Sequence, residues 1–444
     1  MANDIPQVSF FKFLLRAREI VKNPLPFHHD NFEKNGDTFK LHLGFGRHVV
    51  FSRDAAFLKY ALQSNQRNYT KSDLQIKEVA KYLGKGLLTS EGAHWRNQRK
   101  LIQPAFHKKQ LSHLLKTMTQ TITRELRELP TDTPFAIEEV FGTLAFEVVA
   151  QSLFSGAVAP AEIKKLKYVT EASQKMLVRE LRQPYLRWWF HISGLLQKHY
   201  NMVREARALL GKIISDRQQG ADQKGDLLDM LLEARYEDGN AMPKEQIIDE
   251  ILVLFTAGHE TTCNALTFTT QLLAQHPEYQ EKIRSEWPVA GIAEIPKSFM
   301  GEGITKQVLE ESMRLYPPAY FIDRMNIAVD EFEGKRLSEN TALLFSVIEI
   351  HRHEKHWKNP LQFCPERFQG PPNQHSGYYY PFGAGPRMCI GNNFAMFEMQ
   401  LALGELLRKY DIAPTVNPIE VLPLITLRSK NARIILKKRQ VHVA

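Results

Sequence analysis

The chain has 444 residues, an apolar fraction of 43% and a formal net charge of +9, which is an ordinary composition for a globular protein with a sizeable core. Its three cysteines are too few for a disulfide framework, and no stretch supplies the ~20 consecutive apolar residues that span a bilayer. The N-terminus also lacks the basic region of a secretory signal. We therefore expect a cytoplasmic protein without a transmembrane anchor.

The excess of positive charge favours acidic partners such as nucleic acid, anionic lipid or an acidic protein. No zinc-finger or RNA-binding motif supports the first of these, so we expect no nucleic-acid partner. Near the N-terminus, the apolar side chains of FFKFLL from Phe10 either touch a membrane surface or dock on the protein. We favour docking.

Apolar periodicity predicts a mostly helical chain with a few short strands. The predicted helices are 94–118, 136–153, 160–178, 200–217, 245–275, 304–316 and 391–409. The predicted strands begin at Lys40, His48, Ala342 and Ala432, and the turn LGFGRH between the first two is typical of a hairpin. With no repeat and no low-complexity linker, we expect one domain over residues 1–444, mainly α with small β-sheets.

A glycine-rich loop, PFGAGPRMCIG from Pro381 to Gly391, surrounds Cys389. A thiolate is a soft ligand that suits iron, copper or zinc, but a lone cysteine cannot form a tetrahedral zinc site. It can be the single protein ligand of haem iron, because the porphyrin supplies four nitrogens, and it then favours O–O cleavage. Glycines would let the backbone approach a porphyrin, and Arg387 could reach a porphyrin carboxylate. The alternative is a tight turn around a structural cysteine.

This loop resembles the FxxGxRxCxG motif of the cytochrome P-450 family, the haem-thiolate monooxygenases. The matching residues are Phe382, Gly385, Arg387, Cys389 and Gly391. The resemblance implies the P-450 fold with haem b as cofactor, held between the AGHETT helix and the cysteine loop with its following helix. It makes Cys389 the axial iron ligand and adds Phe382 and Gly391 to the haem contacts. Because the chain ends at residue 444, we expect no fused reductase.

A charged pair, Glu311 and Arg314, lies on one face of the predicted helix that ends in LEESMRLYPP. By itself such a pair is most often exposed, since buried charges are costly unless they are paired. Together with Arg367 it resembles the ExxR and PERF elements of the family, which implies a structural salt-bridge network under the haem. The histidines of HRHEKH, from His351, are interpreted as structural or exposed and not as metal ligands.

The motif AGHETT, from Ala257 to Thr262, lies within a strongly apolar predicted helix. Thr261 can hydrogen-bond to the carbonyl of Ala257 and bend the helix, and Glu260 beside it supplies a carboxylate for a minimal proton relay. The alternative is a kinked core helix with a solvated glutamate. By resemblance to the family motif AGx(D/E)T, Thr261 delivers protons to bound oxygen and Glu260 is its acidic partner.

Further site residues are implied by the resemblance alone. The residues implied to bind the haem propionates are Trp95, Arg99, Arg324 and Arg387. Those implied to line the substrate pocket are Leu88, Ala257, Ala319, Phe321 and Ile425. This pocket set is apolar, which favours a lipid, terpenoid or carotenoid, although a small polar or methoxylated substrate stays open. The aromatic run YLRWWF from Tyr185 either roofs the entrance or packs in the core.

The function predicted from these motifs is hydroxylation, or O-demethylation, of a small organic substrate with O2. The chain contains no flavin or iron–sulfur motif, so electrons are expected from a separate ferredoxin or flavodoxin with its reductase. The basic residues expected to attract that carrier are Arg96, Lys100, Lys108 and Lys109. The alternatives are a peroxygenase or isomerase of the same fold, which typically lack the threonine, and a haem sensor or electron carrier.

Overall fold

The computed structural model describes residues 5–220, 224–288, 295–296, 299, 301, 303–371, 374–415 and 418–439. Its helices are α1 (Phe10–Leu15), α2 (Ala17–Lys22), α3 (Leu25–Asn35), α4 (Ala55–Lys59), α5 (Ala80–Leu83), α6 (Gly92–Ile102), α7 (Lys108–Glu125), α8 (Ile137–Phe154), α9 (Pro160–Arg182), α10 (Arg187–Ile192), α11 (Leu195–Gln219), α12 (Leu227–Glu233), α13 (Lys244–Gln275), α14 (Pro277–Glu286), α15 (Ile304–Leu315), α16 (Val347–Ile350) and α17 (Asn392–Lys409). Its strands are β1 (Gln7–Val8), β2 (Thr38–Gly44), β3 (Arg47–Ser52), β4 (Tyr69–Thr70), β5 (Phe135–Ala136), β6 (Phe321–Asn326), β7 (Asp330–Phe332), β8 (Lys335–Leu337), β9 (Ala342–Ser346), β10 (Tyr410–Pro414), β11 (Val421–Pro423), β12 (Leu427–Ser429) and β13 (Arg433–Lys438).

The described residues form two compact units, each built from several stretches of chain. The first takes in the described residues of 5–72, 307–389 and 419–430, and the second those of 73–306, 390–418 and 431–439. The prediction of a single domain stays a prediction. Among the described residues, none of the helices combines the length and apolar character needed to cross a bilayer.

The first unit is organised around a sheet of strand order β1-β2-β3-β9-β6-β4. Strands β2 and β3 form the predicted hairpin, with Thr38 opposite Ser52. Its turn requires positive φ at consecutive residues, including Phe45 at +51° between two glycines. Strand β3 then pairs in parallel with β9, starting with Val49 opposite Ala342, so the sheet joins chain segments nearly 300 residues apart by their numbering.

The N-terminal apolar segment is only partly docked on the first unit. The side chain of Phe13 packs against the cluster that contains Phe39 and Leu41. On the opposite face of α1, Phe11 and Leu15 are 75% and 85% exposed. Docking was favoured from the sequence, and the structure gives docking on one face of a short helix and exposure on the other.

The second unit has α8 and α13 at its core. Both helices are largely buried, and the rings of Phe146 and Phe255 stack between them with centroids 4.7 Å apart. A Cβ atom at Gly258 would lie 3.2 Å from a methyl carbon of Val149, so the glycine permits the close approach of the two helices. Burial of this apolar surface supplies most of the stabilisation, at roughly 25 cal/mol per Å².

The predicted helix 94–118 is wrong as a single element. The structure divides it into α6, a 3₁₀ turn over Gln103–Phe106 and α7. Pro104 contributes to the division, because proline has no N–H to donate to the preceding turn, and the backbone becomes extended at His107, with φ of −70° and ψ of 144°. The other predicted helices agree with α8, α9, α11, α13, α15 and α17 apart from their ends. The proline- and glycine-rich segment before Glu311 lies partly outside the described residues.

Candidate active site

The cysteine loop folds as a chain of tight turns that presents the thiol to solvent. The backbone N–H of Cys389 donates to the carbonyl of Phe382 at 2.9 Å, and Met388 donates to Gly385 at 3.0 Å. A 3₁₀ turn over Gly385–Arg387 precedes the cysteine, and Arg387 is half-buried. The Cys389 side chain is exposed, whereas Cys263 is buried.

The glycines of this loop serve different purposes. Gly385 has φ of +69°, and a Cβ atom there would lie 1.8 Å from the carbonyl oxygen of Leu62, so only glycine fits. Gly383 also has positive φ, at +72°. Gly391 has an ordinary φ of −87°, and a Cβ atom there would meet nothing within 4 Å. Gly391 therefore leaves the surface beside the cysteine open.

Glu311, Arg314 and Arg367 come together as a buried charge network. Glu311 and Arg314 are both 0% exposed, and Arg314 Nε and Nη2 donate to the two carboxylate oxygens of Glu311 at 2.7 and 2.8 Å. Arg367 Nε donates to Glu311 Oε1 at 3.3 Å. The backbone N–H of Cys364 adds a further bond to the same oxygen at 2.8 Å. Every one of these bonds involves a charged group, so each is of the stronger, charge-assisted type.

The histidines near this network have local partners. His351 is fully buried and accepts a hydrogen bond from the backbone N–H of Tyr380 at 2.7 Å. Burial, with the nearby Arg314 guanidinium, lowers the pKa of His351 to about 3, so the ring stays neutral. His353 bonds to Asp37 at 3.2 Å, and His356 stacks on Tyr378. No cluster of three metal-ligating side chains occurs among the described residues.

The middle of helix α13 has a stretch that is more accessible than the turns on either side of it. Ala257 is exposed and Thr261, one turn later, is half-buried, whereas most of α13 is buried. The Thr261 hydroxyl donates to the carbonyl oxygen of Ala257 at 2.7 Å, the local bond expected from the sequence. Glu260 is half-buried beside it. A small side chain, a hydroxyl and a carboxylate thus share the accessible part of this helix.

The four residues implied to bind propionates lie on three different elements. Trp95 and Arg99 are half-buried on α6, where Arg99 Nε donates to Gln103 at 3.0 Å. Arg324 is 8% exposed in β6 and donates to the backbone oxygen of Asp323. Arg387 is half-buried in the cysteine loop.

The five residues implied to line a substrate pocket fall into two groups. In the first unit, Ala319 and Ile425 are exposed, and Phe321 is half-buried and packs partly on the cluster around Phe39. In the second unit, Leu88 is half-buried and Ala257 exposed. In the first unit, the segments that carry Ala319 and Ile425 are joined by a hydrogen bond: the Tyr320 hydroxyl donates to the backbone oxygen of Leu424 at 2.6 Å.

Leu88 follows a loop that is fixed on α13 by carboxylates. Leu87 N–H donates to Glu250 Oε2 at 2.9 Å, and Lys85 N–H donates to Asp249 at 2.7 Å. Gly86 lets the loop lie close, since a Cβ atom there would be 2.8 Å from Val253. Burial raises the pKa of Glu250 to about 7. Sequence reasoning missed Glu250; an acidic residue within an apolar helix was the only signal.

Comparison with known proteins decides the family. The sequence model of the family described as Cytochrome P450 matches residues 5–436. The chain belongs to the cytochrome P450 family. It is therefore a haem monooxygenase by family, and the cofactor of these P450s is haem b. The mainly helical fold with small sheets is the P450 fold: the crystal structure of the cytochrome P450DA heme domain superposes with a TM-score of 0.82 at 20% identity, covering 100% of this chain and 99% of that one.

The curated relatives include P450 enzymes named for oxidations. A cytokinin hydroxylase of Arabidopsis thaliana is 30% identical over 413 residues, covering 86% of this chain and 78% of the relative. A pentalenene oxygenase of Streptomyces avermitilis is 27% identical, covering 90% and 89%. A cyclooctatin synthase of Streptomyces melanosporofaciens is 29% identical, covering 82% and 81%.

The residues of this P450 fit haem b. Cys389 offers an exposed thiol as a soft iron ligand, and Gly391 leaves the adjoining surface free of a side chain.

Proposed function

We propose that this P450 hydroxylates, or O-demethylates, a small apolar substrate with O2 and electrons from a separate ferredoxin or flavodoxin with its reductase. The observation that carries the proposal is the exposed stretch of α13, where Thr261 bonds to the carbonyl of Ala257 at 2.7 Å beside Glu260. A hydroxyl and a carboxylate on the accessible part of a buried helix suit proton delivery. A haem sensor or electron carrier would need neither group.

Cys389 is proposed as the axial ligand. When bound, the haem supplies the iron at which dioxygen is activated. The thiol must ionise to bind iron, and Arg387, two residues before it, adds a positive charge that favours the thiolate. By chain connection, α17 begins three residues after Cys389, and the partial positive charge of a helix N-terminus acts in the same direction.

Thr261 is proposed to move protons to bound oxygen, with Glu260 as the acid that resupplies it. In its resting geometry the Thr261 proton points to the Ala257 carbonyl. Delivery therefore requires the hydroxyl to rotate away from this acceptor, a change that costs about one hydrogen bond, ~1 kcal/mol. Once rotated, the Thr261 hydroxyl could donate its proton to dioxygen and take up a replacement proton from the side of Glu260.

The substrate is proposed to be apolar, such as a lipid, terpenoid or carotenoid. The proposed contact residues are Leu88, Ala257, Ala319, Phe321 and Ile425, none of which carries a polar side chain. Apolar walls bind by removing apolar surface from water, at roughly 25 cal/mol per Å². The runner-up is O-demethylation of a more polar methoxylated substrate, and a peroxygenase is the third candidate.

The experiment compares Thr261→Ala with Thr261→Ser in the complete enzyme with a ferredoxin and its reductase. Three quantities are measured in parallel: NAD(P)H consumed, hydrogen peroxide released and product formed. We expect Thr261→Ala to bind substrate normally but to lower product per NAD(P)H about tenfold or more and raise peroxide correspondingly. Thr261→Ser keeps the hydroxyl and should stay close to wild type.

Two results would contradict the proposal. If Thr261→Ala makes as much product per NAD(P)H as wild type, Thr261 delivers no proton. If wild type forms product from added peroxide as fast as from NAD(P)H and O2, the peroxygenase alternative is favoured.

A further inference from the structure

A cleft lies within the second unit, and none of the residues proposed for catalysis lines it. It encloses about 1120 Å³ between α6, the end of α12, the start of α13 and a short hairpin over 235–241. The hairpin is closed by Tyr236 N–H to Asn240 oxygen at 2.9 Å. None of the residues proposed above for haem, oxygen or substrate lines this cleft. Its volume is slightly above the roughly 300–1,000 Å³ of typical small-molecule sites, so a small molecule fits inside it.

The cleft contains a buried amide with one end unsatisfied. Gln98 is 2% exposed, and its Nε2 donates to the Tyr236 hydroxyl at 2.5 Å. Its Oε1 has no hydrogen-bond partner among the described residues. An unsatisfied buried polar atom costs about 1–3 kcal/mol, so such atoms are uncommon. A ligand that supplies the missing hydrogen-bond partner would recover this cost. The amide of Gln98 is the group that a ligand would complete.

The charges around the cleft balance. Apart from His94, its basic side chains are Arg96, Lys100 and Arg235, and its carboxylates are Glu233, Glu237 and Asp238. Lys100 and Glu237 form an ion pair between α6 and the hairpin. A ligand with a net charge would meet an opposing charge as readily as an attractive one, so the balance favours a neutral molecule. The remaining wall is mixed. Its apolar side chains are Leu101, Pro104, Ala105, Met230, Ala234 and Pro243, and its uncharged polar side chains other than His94, Gln98 and Tyr236 are Asn97, Gln110 and Gln246.

We propose that this cleft binds a small neutral molecule that has an apolar body and a hydroxyl group directed at Gln98. The two ends of a glutamine amide can exchange by a flip of the side chain, so the end left unsatisfied is either an acceptor or a donor. A hydroxyl both donates and accepts, and it completes the site in either orientation. A hydrocarbon would leave the Gln98 amide unsatisfied. An amine or a carboxylate would bring a net charge into a cleft whose basic and acidic side chains are equal in number.

The test uses 4-fluorophenol and fluorobenzene as matched neutral probes that differ in the hydroxyl group. Binding to the haem-loaded enzyme is measured by ¹⁹F NMR titration. We expect 4-fluorophenol to bind about fivefold more tightly than fluorobenzene, the gain from one net hydrogen bond. Gln98→Met keeps the length and apolar volume of the side chain but removes the amide, and should abolish this difference. Ala234→Leu, at a half-buried position of the cleft wall, should weaken both probes.

Ala257→Leu locates the binding site, because it alters the proposed active site and not the cleft. In the proposed case this variant leaves the fluorophenol preference unchanged. The proposal is overturned if neither probe binds, if the two bind equally, or if Ala257→Leu removes the preference while Gln98→Met retains it. Should Gln98→Met fail to fold, Ala234→Leu decides: unchanged affinity for both probes would place them outside the cleft.

Discussion

Arg314 is a fully buried arginine whose donors are all used. Besides its two bonds to Glu311, its Nη1 donates to the carbonyls of His351 and Pro360 at 2.8 and 2.7 Å, and its Nη2 to that of Gln362 at 3.1 Å. Its guanidinium also lies over the Trp357 ring at 5.0 Å. Removing two charges from water is costly, and these bonds offset that cost only while all are present. The network therefore holds α15 against the chain segment that leads to the cysteine loop.

Replacing Arg314 by lysine tests this structural role. Arg314→Lys keeps the charge but cannot reach three carbonyls and both Glu311 oxygens at once. We expect a loss of about 3 kcal/mol in the free energy of unfolding, because buried carbonyls and part of a buried carboxylate lose their partners. The measurement is urea unfolding followed by circular dichroism, with haem content read from the absorption spectrum.

Arg16→Lys is the matched control, since Arg16 also pairs with a glutamate three residues away but at the surface, where its side chain is 35% exposed. Exposed pairs of this type contribute only about 0–1 kcal/mol. Equal shifts of the unfolding midpoint in the two variants would mean that the buried network does not stabilise the fold.

A spectroscopic test can show whether Cys389, and not another cysteine, is the iron ligand. Reduced wild-type enzyme with carbon monoxide should show the red-shifted Soret band of a thiolate-bound haem. Cys389→Ser should lose this band, because an alcohol is a harder and much weaker donor to iron. Cys364→Ser is the control: its thiol lies 3.7 Å from Glu366, and serine can keep that contact. A Cys389→Ser protein that retains the band would rule out Cys389 as the ligand.

At the scale of elements, helix α13 has three structural roles, each carried by a different part of its length. Its middle packs on α8 through Gly258, its exposed stretch carries Thr261, and its first turns hold the loop before Leu88 through Glu250. Glu250 is 1% exposed, and its second oxygen accepts from Gln246 at 2.8 Å. This carboxyl therefore couples protonation to the position of a loop that is proposed to contact substrate.

Glu250 should make stability depend on pH in a defined window. Burial raises its pKa from the ordinary 4.5 to about 7 in the folded protein. Between these values the folded state keeps a proton that the unfolded state has lost, so stability falls as pH rises through the window. The full loss, reached above pH 7, is about 3 kcal/mol. We expect Glu250→Gln to remove this loss, so its advantage over wild type in unfolding free energy should grow from pH 4.5 to pH 8.

Glu205→Gln is a control with the same chemical change at a position where the side chain is 60% exposed and pairs with Lys165. Its pH dependence should follow that of wild type. If the difference between Glu250→Gln and wild type stays constant across the window, Glu250 does not titrate there.

The sequence predicted those helices and strands in which the spacing of apolar residues follows a single clear period. Helix α13 was predicted as 245–275 and spans Lys244–Gln275, because it is long and apolar on most sides. Strand β6, FIDRMN, was not predicted, since it has no clean alternation and its partners β4 and β9 come from elsewhere in the chain. The break between α6 and α7 was foreseeable from Pro104, whose effect was outweighed by the continuous apolar spacing.

For the candidate site, the sequence motifs predicted which residues matter, but the contacts that these residues make with distant parts of the chain are seen only in the fold. The bonds of Glu311 to Arg314 follow from their spacing, but the bond to Arg367 spans 56 residues. The need for glycine at 385 comes from the Leu62 carbonyl, and the burial of Glu250 involves a loop 163 residues away. Contacts at such separations leave no local pattern, so only the resemblance to a family could indicate any of them.

At the scale of the whole molecule, the net charge of +9 favours an acidic electron carrier. Lys108 and Lys109 are exposed in the first turn of α7, which contains no acidic residue. Cations at a helix N-terminus oppose the helix dipole and cost about 0.3–1 kcal/mol each at low salt. By contrast, Lys100 is paired with Glu237. We therefore propose that Lys108 and Lys109 contribute to binding an acidic electron carrier.

Reversing one of these charges should therefore have opposite effects on stability and electron transfer. Lys108→Glu places an acid where the helix favours one, so we expect the unfolding free energy to rise by about 0.5 kcal/mol. The same change should slow reduction by an acidic ferredoxin several-fold at low ionic strength. This difference should shrink as salt increases, because the Debye length falls to ~10 Å at 0.1 M. The rate is measured by stopped-flow mixing under carbon monoxide, which binds the haem iron once it is reduced.

Lys212→Glu is the control, because it makes the same charge change on the exposed surface of α11. If both variants slow the reduction equally, the carrier is attracted by the net charge of the protein and not by the start of α7.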